Sequence, residues 1–124
     1  MIRELLTVGL GGAAGSVVRY VLSAGLLAGH TLLGFPAGTF TVNALGSLLI
    51  GILLETVSSA AAGWLLIVGF CGGFTTFSTF SADAVRLLRA GSYGSAAAYI
   101  ALSVVTCIAF AALGMWIGAQ IARN

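Results

Sequence analysis

Four long apolar runs, separated by short polar or glycine-containing stretches, dominate the pattern of hydrophobic and polar positions along the chain. A helix needs roughly 20 mainly apolar residues to cross a bilayer. We therefore predict membrane-spanning helices at about residues 5–27, 38–57, 61–83 and 94–120. The connection from His30 to Pro36 contains the turn residues Gly34 and Pro36. Residues 1–124 are thus predicted to form one all-α transmembrane domain.

The third apolar run has an unusual second half. The pair Gly72-Gly73 interrupts it, and hydroxyl residues then alternate with phenylalanines in the segment FTTFSTFS. Because glycine weakens a helix by about 1 kcal/mol relative to alanine, we expect the third helix to break at this pair. Irregular backbone at membrane depth is tolerated only where protein buries it or where it lines a wet cavity. The segment is therefore predicted to line a small polar path.

Composition supports a membrane protein. The 124 residues are 60% hydrophobic and 6% charged, and the mean hydropathy is +1.14, far outside the range of soluble domains. The net charge of +2 is too small and too scattered to indicate nucleic-acid binding. Four short helices fill one another's centre, so a pore is expected to need a partner copy or a helix break. Cys71 and Cys107 lie in apolar runs and are expected to be buried free thiols rather than a disulfide.

Small and charged residues of the spans have simple structural interpretations. Gly11 and Gly15 form a G-x-x-x-G face for close helix packing, and Gly114 and Gly118 repeat that spacing. Arg19, near the end of the first span, must reach water because an arginine inside the bilayer is costly. It is either an interfacial anchor or a positive charge at the mouth of a pore.

The distribution of arginines leaves the orientation in the membrane undecided. With four spans, Arg3 and Arg123 lie on one side, and Arg86 and Arg89 lie on the other, towards which Arg19 leans. This distribution gives almost no positive-inside bias. We therefore expect insertion in both orientations, with an antiparallel pair as the natural oligomer.

Polar residues of two other spans are placed to face the hydroxyl-rich segment. Asn43 shares one helix face with Thr39 and Ser47, since these residues recur every four positions. The Asn43 amide either holds helices together or contacts a permeating species. The fourth span has a similar stripe at Tyr99, Ser103 and Cys107.

The charges favour a passive route for an anion. Glu4, Glu55 and Asp83 all lie near span ends, whereas coupled transporters generally use an acid or histidine inside the membrane. A cation would find no countercharge on a path lined by amide and hydroxyl groups. Phe77 and Phe80 share a helix face, and ring edges carry weak positive charge that could meet a small anion. The alternative is that these rings only pack between helices.

The break also frees main-chain carbonyls. Carbonyls at a helix end lose their intrahelical donors, and a small cation can bind them at unwound membrane segments. If two breaks met at a dimer axis, their carbonyls could hold one ion such as sodium.

Taken together, these motifs resemble the Fluc fluoride channels, also called CrcB proteins. The matching pieces are GGAAG and RY at residues 11–15 and 19–20, PAGTFTVNALGS at 36–47 and GFCGGFTTFSTFS at 69–81. The resemblance implies four-helix subunits with a broken third helix, assembled as an antiparallel dual-topology homodimer in the inner cell membrane. It also implies two fluoride pores and a central structural Na⁺, and a channel rather than an enzyme.

Site residues follow from the resemblance by position. Gly72 and Thr75 would give main-chain carbonyls to sodium, and Arg19 would lie by the aqueous vestibule. Cys107 stands where a hydroxyl is common, and Asp83 replaces a usual glutamate. The fluoride pore would be lined by Asn43, Phe77, Phe80, Tyr99, Ser103, Thr39 and Ser81.

Two other functions remain as alternatives. A proton-coupled small multidrug exporter is also compact, but it needs a carboxylate inside the first span, where only Thr7 and Ser16 are polar. A membrane assembly subunit without transport activity would leave the hydroxyl-rich third span unexplained. Passive fluoride export from the cytoplasm, which relieves fluoride toxicity, is the preferred hypothesis.

Overall fold

The computed structural model describes all residues, Met1–Asn124. Four helical segments are long enough and apolar enough to cross a membrane: Ile2–Leu26, Ala37–Thr56, Ala60–Arg89 and Tyr93–Arg123. They correspond in order to the four predicted spans and are called spans 1 to 4. The third is longer than predicted because the helix continues through the arginines Arg86 and Arg89.

Span 1 consists of helix α1 (Ile2–Tyr20) and a π-helical stretch, Val21–Leu26. A short antiparallel hairpin follows, with β1 at Thr31–Leu32 and β2 at Phe35–Pro36. Its turn places Leu33 and Gly34 at φ 51° and 84°, a region that glycine adopts without strain. The Ser95 hydroxyl donates to the Leu33 carbonyl at 3.0 Å and ties the hairpin to span 4. The sequence predicts a loop here and does not reveal the hairpin.

Span 2 is helix α2 (Ala37–Thr56), and it packs along span 4, helix α6 (Tyr93–Arg123). The backbones of α2 and α6 approach closely because both helices have glycines at their contact. A methyl group on Gly118 would lie 2.7 Å from the Ile52 carbonyl oxygen, and one on Gly114 would overlap the Leu48 carbonyl oxygen. Gly11 and Gly15, the buried residues of α1, likewise pack against the main chain of span 3. Both predicted glycine packing faces are confirmed.

Span 3 begins with α3 (Ala60–Ala62), a π-helical stretch (Gly63–Cys71) and α4 (Gly72–Phe74). Thr75 and Thr76 are then extended, with ψ of 157° and 114°, and α5 (Phe77–Arg89) follows. The interruption therefore does not fall at the glycine pair, where the sequence places it. Gly73 is helical and packs closely on span 1, since a methyl group there would overlap the Gly12 carbonyl oxygen.

The core is small and lies where spans 2, 3 and 4 meet the hairpin. It is a cluster of Phe35, Phe80, Ala84 and Tyr99. Large apolar side chains on the outer faces of the spans are exposed. Such faces suit contact with lipid, which does not need polar groups for solvation.

Candidate functional site

A cavity of about 420 Å³ opens beside the interruption of span 3 and is lined by spans 2, 3 and 4. No acidic residue lines it. Five residues predicted for the pore or the sodium site meet there: Asn43, Thr75, Phe77, Phe80 and Ser103. The structure thus brings together polar groups that lie up to sixty residues apart in the sequence.

Asn43 binds both polar main-chain groups of Thr76, the second residue of the interruption. Its Nδ2 donates to the Thr76 carbonyl at 3.0 Å, and its Oδ1 accepts from the Thr76 N–H at 2.8 Å. A side-chain amide of this kind replaces the hydrogen bonds that an extended residue otherwise finds in a sheet. The two interpretations of Asn43 are compatible, because its amide nitrogen carries two hydrogens and only one is used by Thr76.

Helix α5 starts at this cavity. The Thr76 hydroxyl accepts from the Thr79 N–H at 3.1 Å and caps the helix. The first N–H groups of a helix lack intrahelical acceptors and carry partial positive charge. The beginning of α5 is thus electrostatically suited to a nearby anion.

Three aromatic rings continue from the start of α5 into the core. The Phe77 and Phe80 ring centroids lie 5.6 Å apart at 47°, and those of Phe80 and Tyr99 lie 4.9 Å apart at 56°. Tilted rings present an edge to a neighbouring face. Phe80 is buried, whereas Phe77 is 78% exposed. Phe77 therefore has room for a partner on its outer side.

Ser103 is the unusual hydroxyl of the cavity. Its side chain is buried, yet its Oγ has no hydrogen-bond partner. Buried polar groups are nearly always satisfied. Several other hydroxyls in the spans donate to the carbonyl four residues earlier, namely Thr7, Ser23, Ser47, Thr56, Thr75 and Ser81. Ser103 is therefore free to donate to a species inside the cavity.

Asp83 borders the second cavity of the structure and contacts a predicted pore residue. It is not a residue at an exposed span end, since it is only 7% exposed. Its Oδ2 accepts from the Tyr99 hydroxyl at 3.1 Å, and its Oδ1 pairs with Arg86 at 3.1 Å. Helix α5 continues past Asp83 to Arg89. The carboxylate therefore lies beside Tyr99, one of the predicted pore residues.

The remaining predicted pore residues lie elsewhere. Thr39 is buried and lines a second cavity of about 450 Å³, which Thr79, Asp83 and His30 also line. Ser81 borders neither cavity, and its hydroxyl donates to the Phe77 carbonyl at 2.9 Å. Of the seven predicted pore residues, four thus border the first cavity and Thr39 borders the second, whereas Tyr99 and Ser81 border neither.

The predicted sodium ligands lie at the end of α4. In a continuous helix the Thr76 N–H would donate to the Gly72 carbonyl, but here it donates to Asn43. Gly72 is exposed, and nothing lies within 4 Å of where its side chain would be. A carbonyl without its helical donor on an open face is the kind of oxygen that a hard cation accepts as a ligand.

Arg19 is not simply an interfacial anchor. Its Nε donates to the Gly73 carbonyl at 2.9 Å, and the contact is partly buried. A guanidinium group at the end of α4 also meets the negative end of the helix dipole. Neither this contact nor the one between Asn43 and Thr76 has a sequence signal, because the partners lie 54 and 33 residues apart.

Both cysteines are free thiols, as predicted. Cys71 is buried, but Cys107 is only partly buried, and both line the first cavity. A thiol is a weak hydrogen-bond donor. Cys107 therefore continues the stripe of Tyr99 and Ser103 with a weaker polar group.

Comparison with known proteins adds independent information. Residues 6–115 match the family model described as CrcB-like protein, Camphor Resistance (CrcB). A Phocaeicola vulgatus protein described as a fluoride-specific ion channel is 44% identical over 118 residues, covering 92% of this chain and 97% of the relative. A Coxiella burnetii protein with the same description is 47% identical over 126 residues, covering 95% and 99%. A Leptospira interrogans protein, also so described, is 44% identical over 121 residues, covering 92% and 93%.

Proposed function

The chain belongs to the CrcB-like family, and from this membership and the geometry of the first cavity we propose that it is a passive, fluoride-selective channel. It is a multi-pass protein of the cell membrane and not an enzyme. In the proposed role it lets fluoride leave the cytoplasm and so relieves fluoride toxicity.

The observation that carries this proposal is the unpartnered hydroxyl of Ser103 in a cavity without acidic residues. An anion that enters must exchange its water shell for hydrogen-bond donors. The Ser103 hydroxyl, the second amide hydrogen of Asn43 and the N–H groups at the start of α5 are available. Fluoride accepts the strongest hydrogen bonds of the halides and is the smallest, so these donors favour it.

The phenylalanines complete the proposed selectivity. The edges of Phe77 and Phe80 offer weak positive charge without a fixed countercharge that would trap the ion. Beyond them, Tyr99 and Thr39 would border the path towards the second cavity, and Ser81 would border it on the outer side of α5. The Tyr99 and Ser81 hydroxyls already donate to Asp83 and to the Phe77 carbonyl, so they would need to rotate to serve an anion. A small ion thus moves between weak donors and is never held by a cationic side chain.

We propose an antiparallel dual-topology homodimer with two pores. The near-absence of charge bias supports insertion in both orientations. The exposed ring of Phe77 supports a partner subunit, since a second copy could cover it and close the wall of the cavity. In this arrangement the interruption in span 3 acts as a functional break in a membrane helix.

The homodimer would place two such breaks near its axis, and we propose that they bind one structural Na⁺. The Gly72 and Thr75 carbonyls would be its ligands. They fit the ion because carbonyl oxygens suit a hard cation and because Gly72 lacks its helical donor. When bound, the ion would neutralise carbonyl dipoles that lipid cannot satisfy. Arg19 would lie by the aqueous vestibule, beside the end of α4 at the same break.

The proton-coupled drug exporter is not favoured. The interior of span 1 contains no carboxylate, and Asp83, the one buried acid, has both oxygens bound to neighbours. A carboxylate whose two oxygens are both hydrogen-bonded to the protein is poorly placed to bind protons and a cationic drug in turn.

Reconstitution into liposomes separates these functions. Vesicles that contain the purified protein are loaded with fluoride. Valinomycin then makes them permeable to potassium, and a fluoride electrode records the efflux of fluoride. We expect release that is independent of an imposed proton gradient. Release that occurs only with the gradient would support a coupled exporter instead.

A further inference from the structure

We propose that Arg19 and Asn43 are positioning residues that hold span 3 in its interrupted form by binding the main chain on both sides of Thr75. This inference rests on the proposed function for its transport consequence, but the contacts stand independently of the transported ion. It gives Arg19 a role other than supplying charge to a vestibule.

The Asn43 contact fixes the C-terminal side of the interruption. Its two hydrogen bonds, of 2.8 and 3.0 Å, satisfy both polar main-chain groups of Thr76. Lipid offers no hydrogen-bond partner that could replace this amide, and an unsatisfied main-chain group at membrane depth is strongly unfavourable. Thr76 can therefore stay extended only while this amide is present.

The Arg19 contact fixes the N-terminal side. In an uninterrupted helix the Gly73 carbonyl would accept from the N–H of Phe77, four residues on. Here it accepts from Arg19 Nε at 2.9 Å, across 54 residues of sequence. A donor with positive charge at the last turn of α4 is favourable for its hydrogen bond and for the helix dipole.

The competing state is a continuous helix. Its four bridging hydrogen bonds would run from the N–H groups of residues 76–79 to the carbonyls of residues 72–75. Asn43 occupies the Thr76 N–H and Arg19 occupies the Gly73 carbonyl, one partner in each of the first two bonds. Removing either side chain therefore frees the Thr76 N–H or the Gly73 carbonyl to form the hydrogen bond of a continuous helix. Forming the continuous helix would rotate α5 about its axis and move Phe80 and the N–H groups at its start away from the cavity, while the four spans stay folded.

The variants Arg19→Lys and Asn43→Ala test this inference. Lysine keeps the positive charge but lacks Nε–H, whereas alanine removes both partners of Thr76. Arg89→Lys and Gln120→Ala are matched controls, since Arg89 is exposed and Gln120 borders neither cavity. Fluoride efflux from liposomes is measured at low and high ionic strength, and amide hydrogen exchange is followed in the segment of residues 72–78.

We expect both variants to lose roughly tenfold or more of their fluoride efflux, as the loss of a charge-assisted or two-point hydrogen bond implies. The loss should be the same at both ionic strengths, because contacts at this depth are weakly screened. The exchange pattern of residues 72–78 should change in both variants, and the controls should match the unmodified protein.

Two results would overturn the inference. One is an Arg19→Lys variant with normal efflux, which would leave Arg19 as a charge at the mouth. The other is an unchanged exchange pattern in residues 72–78 of Asn43→Ala. If that variant does not fold, Asn43→Asp replaces it. Aspartate keeps the acceptor for the Thr76 N–H, so exchange of that N–H should stay slow, and fast exchange there would overturn the inference. An unmodified protein that conducts no fluoride would refute the proposed function, and the exchange data would still test the two contacts.

Discussion

The hydroxyl of Tyr99 donates a 3.1 Å hydrogen bond to the carboxylate of Asp83, sixteen residues earlier in the chain. Tyr99 is fully buried, and Arg86, whose side chain is 74% exposed, binds the other carboxylate oxygen. This pair joins α5 to α6 and holds the Tyr99 ring against Phe80. The aromatic wall of the proposed pore thus depends on a buried polar contact.

Tyr99→Phe should destabilise the protein. The change leaves a buried carboxylate oxygen of Asp83 without its donor, which costs about 1–3 kcal/mol. Thermal unfolding in detergent, followed by circular dichroism, should show a lower midpoint. Tyr93→Phe is the control, because Tyr93 is 68% exposed. Equal midpoints for the two variants would show that the contact contributes nothing.

Ser103→Ala should reduce fluoride efflux without reducing stability. The hydroxyl has no partner in the protein, so its removal breaks no internal hydrogen bond, and losing one donor to a desolvated anion should cost roughly tenfold in rate. Ser47→Ala is the comparison, since that hydroxyl is already used by the Asn43 carbonyl. A Ser103→Ala variant that conducts no more slowly than Ser47→Ala would contradict the role of Ser103.

Phe80→Ile should suppress fluoride efflux while the protein remains folded. Isoleucine keeps most of the buried apolar volume but has no ring edge to offer an anion. The matched control is Phe70→Ile, because Phe70 stacks on Phe74 and does not line either cavity. Electrode traces from liposomes with equal protein content compare the two. Normal efflux through Phe80→Ile would remove this ring from the mechanism.

Gly15→Ala should destabilise the packing of span 1 on span 3. The added methyl group would overlap the Phe70 carbonyl oxygen, and overpacking of this kind typically costs about 1–3 kcal/mol. Gly9→Ala should be neutral or slightly stabilising, since nothing lies within 4 Å of that position and alanine favours the helix. Unfolding midpoints of the two variants in the same detergent provide the measurement. Tolerance of both changes would mean that spans 1 and 3 do not pack closely.

Much of the fold could be predicted from the sequence because lipid imposes a simple rule. A run of about 20 apolar residues must satisfy its main chain internally and so forms a helix, which identified all four spans. The G-x-x-x-G spacings predicted close packing for the same reason, since Gly15 and Gly114 allow two backbones to approach.

The candidate site was less accessible to sequence reasoning. The helix propensity of Gly72-Gly73 places the interruption at this pair, whereas both residues are helical and Gly73 packs closely on Gly12. The observed position, at Thr75 and Thr76, coincides with contacts from Asn43 and Arg19, which lie far away in the sequence. The burial of Asp83 has no local sequence signal, because its partner Tyr99 lies sixteen residues away on another helix. Ser103 looks like any other serine in the sequence, and only its surroundings show that its hydroxyl is free.

The most direct test of the central claim compares two anions in one preparation. Liposomes containing the purified protein are loaded with equal fluoride and chloride, and ion-selective electrodes record the efflux of each after valinomycin is added. The account predicts rapid release of fluoride while chloride is retained as in protein-free vesicles. Retention of both ions, or release of both at similar rates, would contradict it.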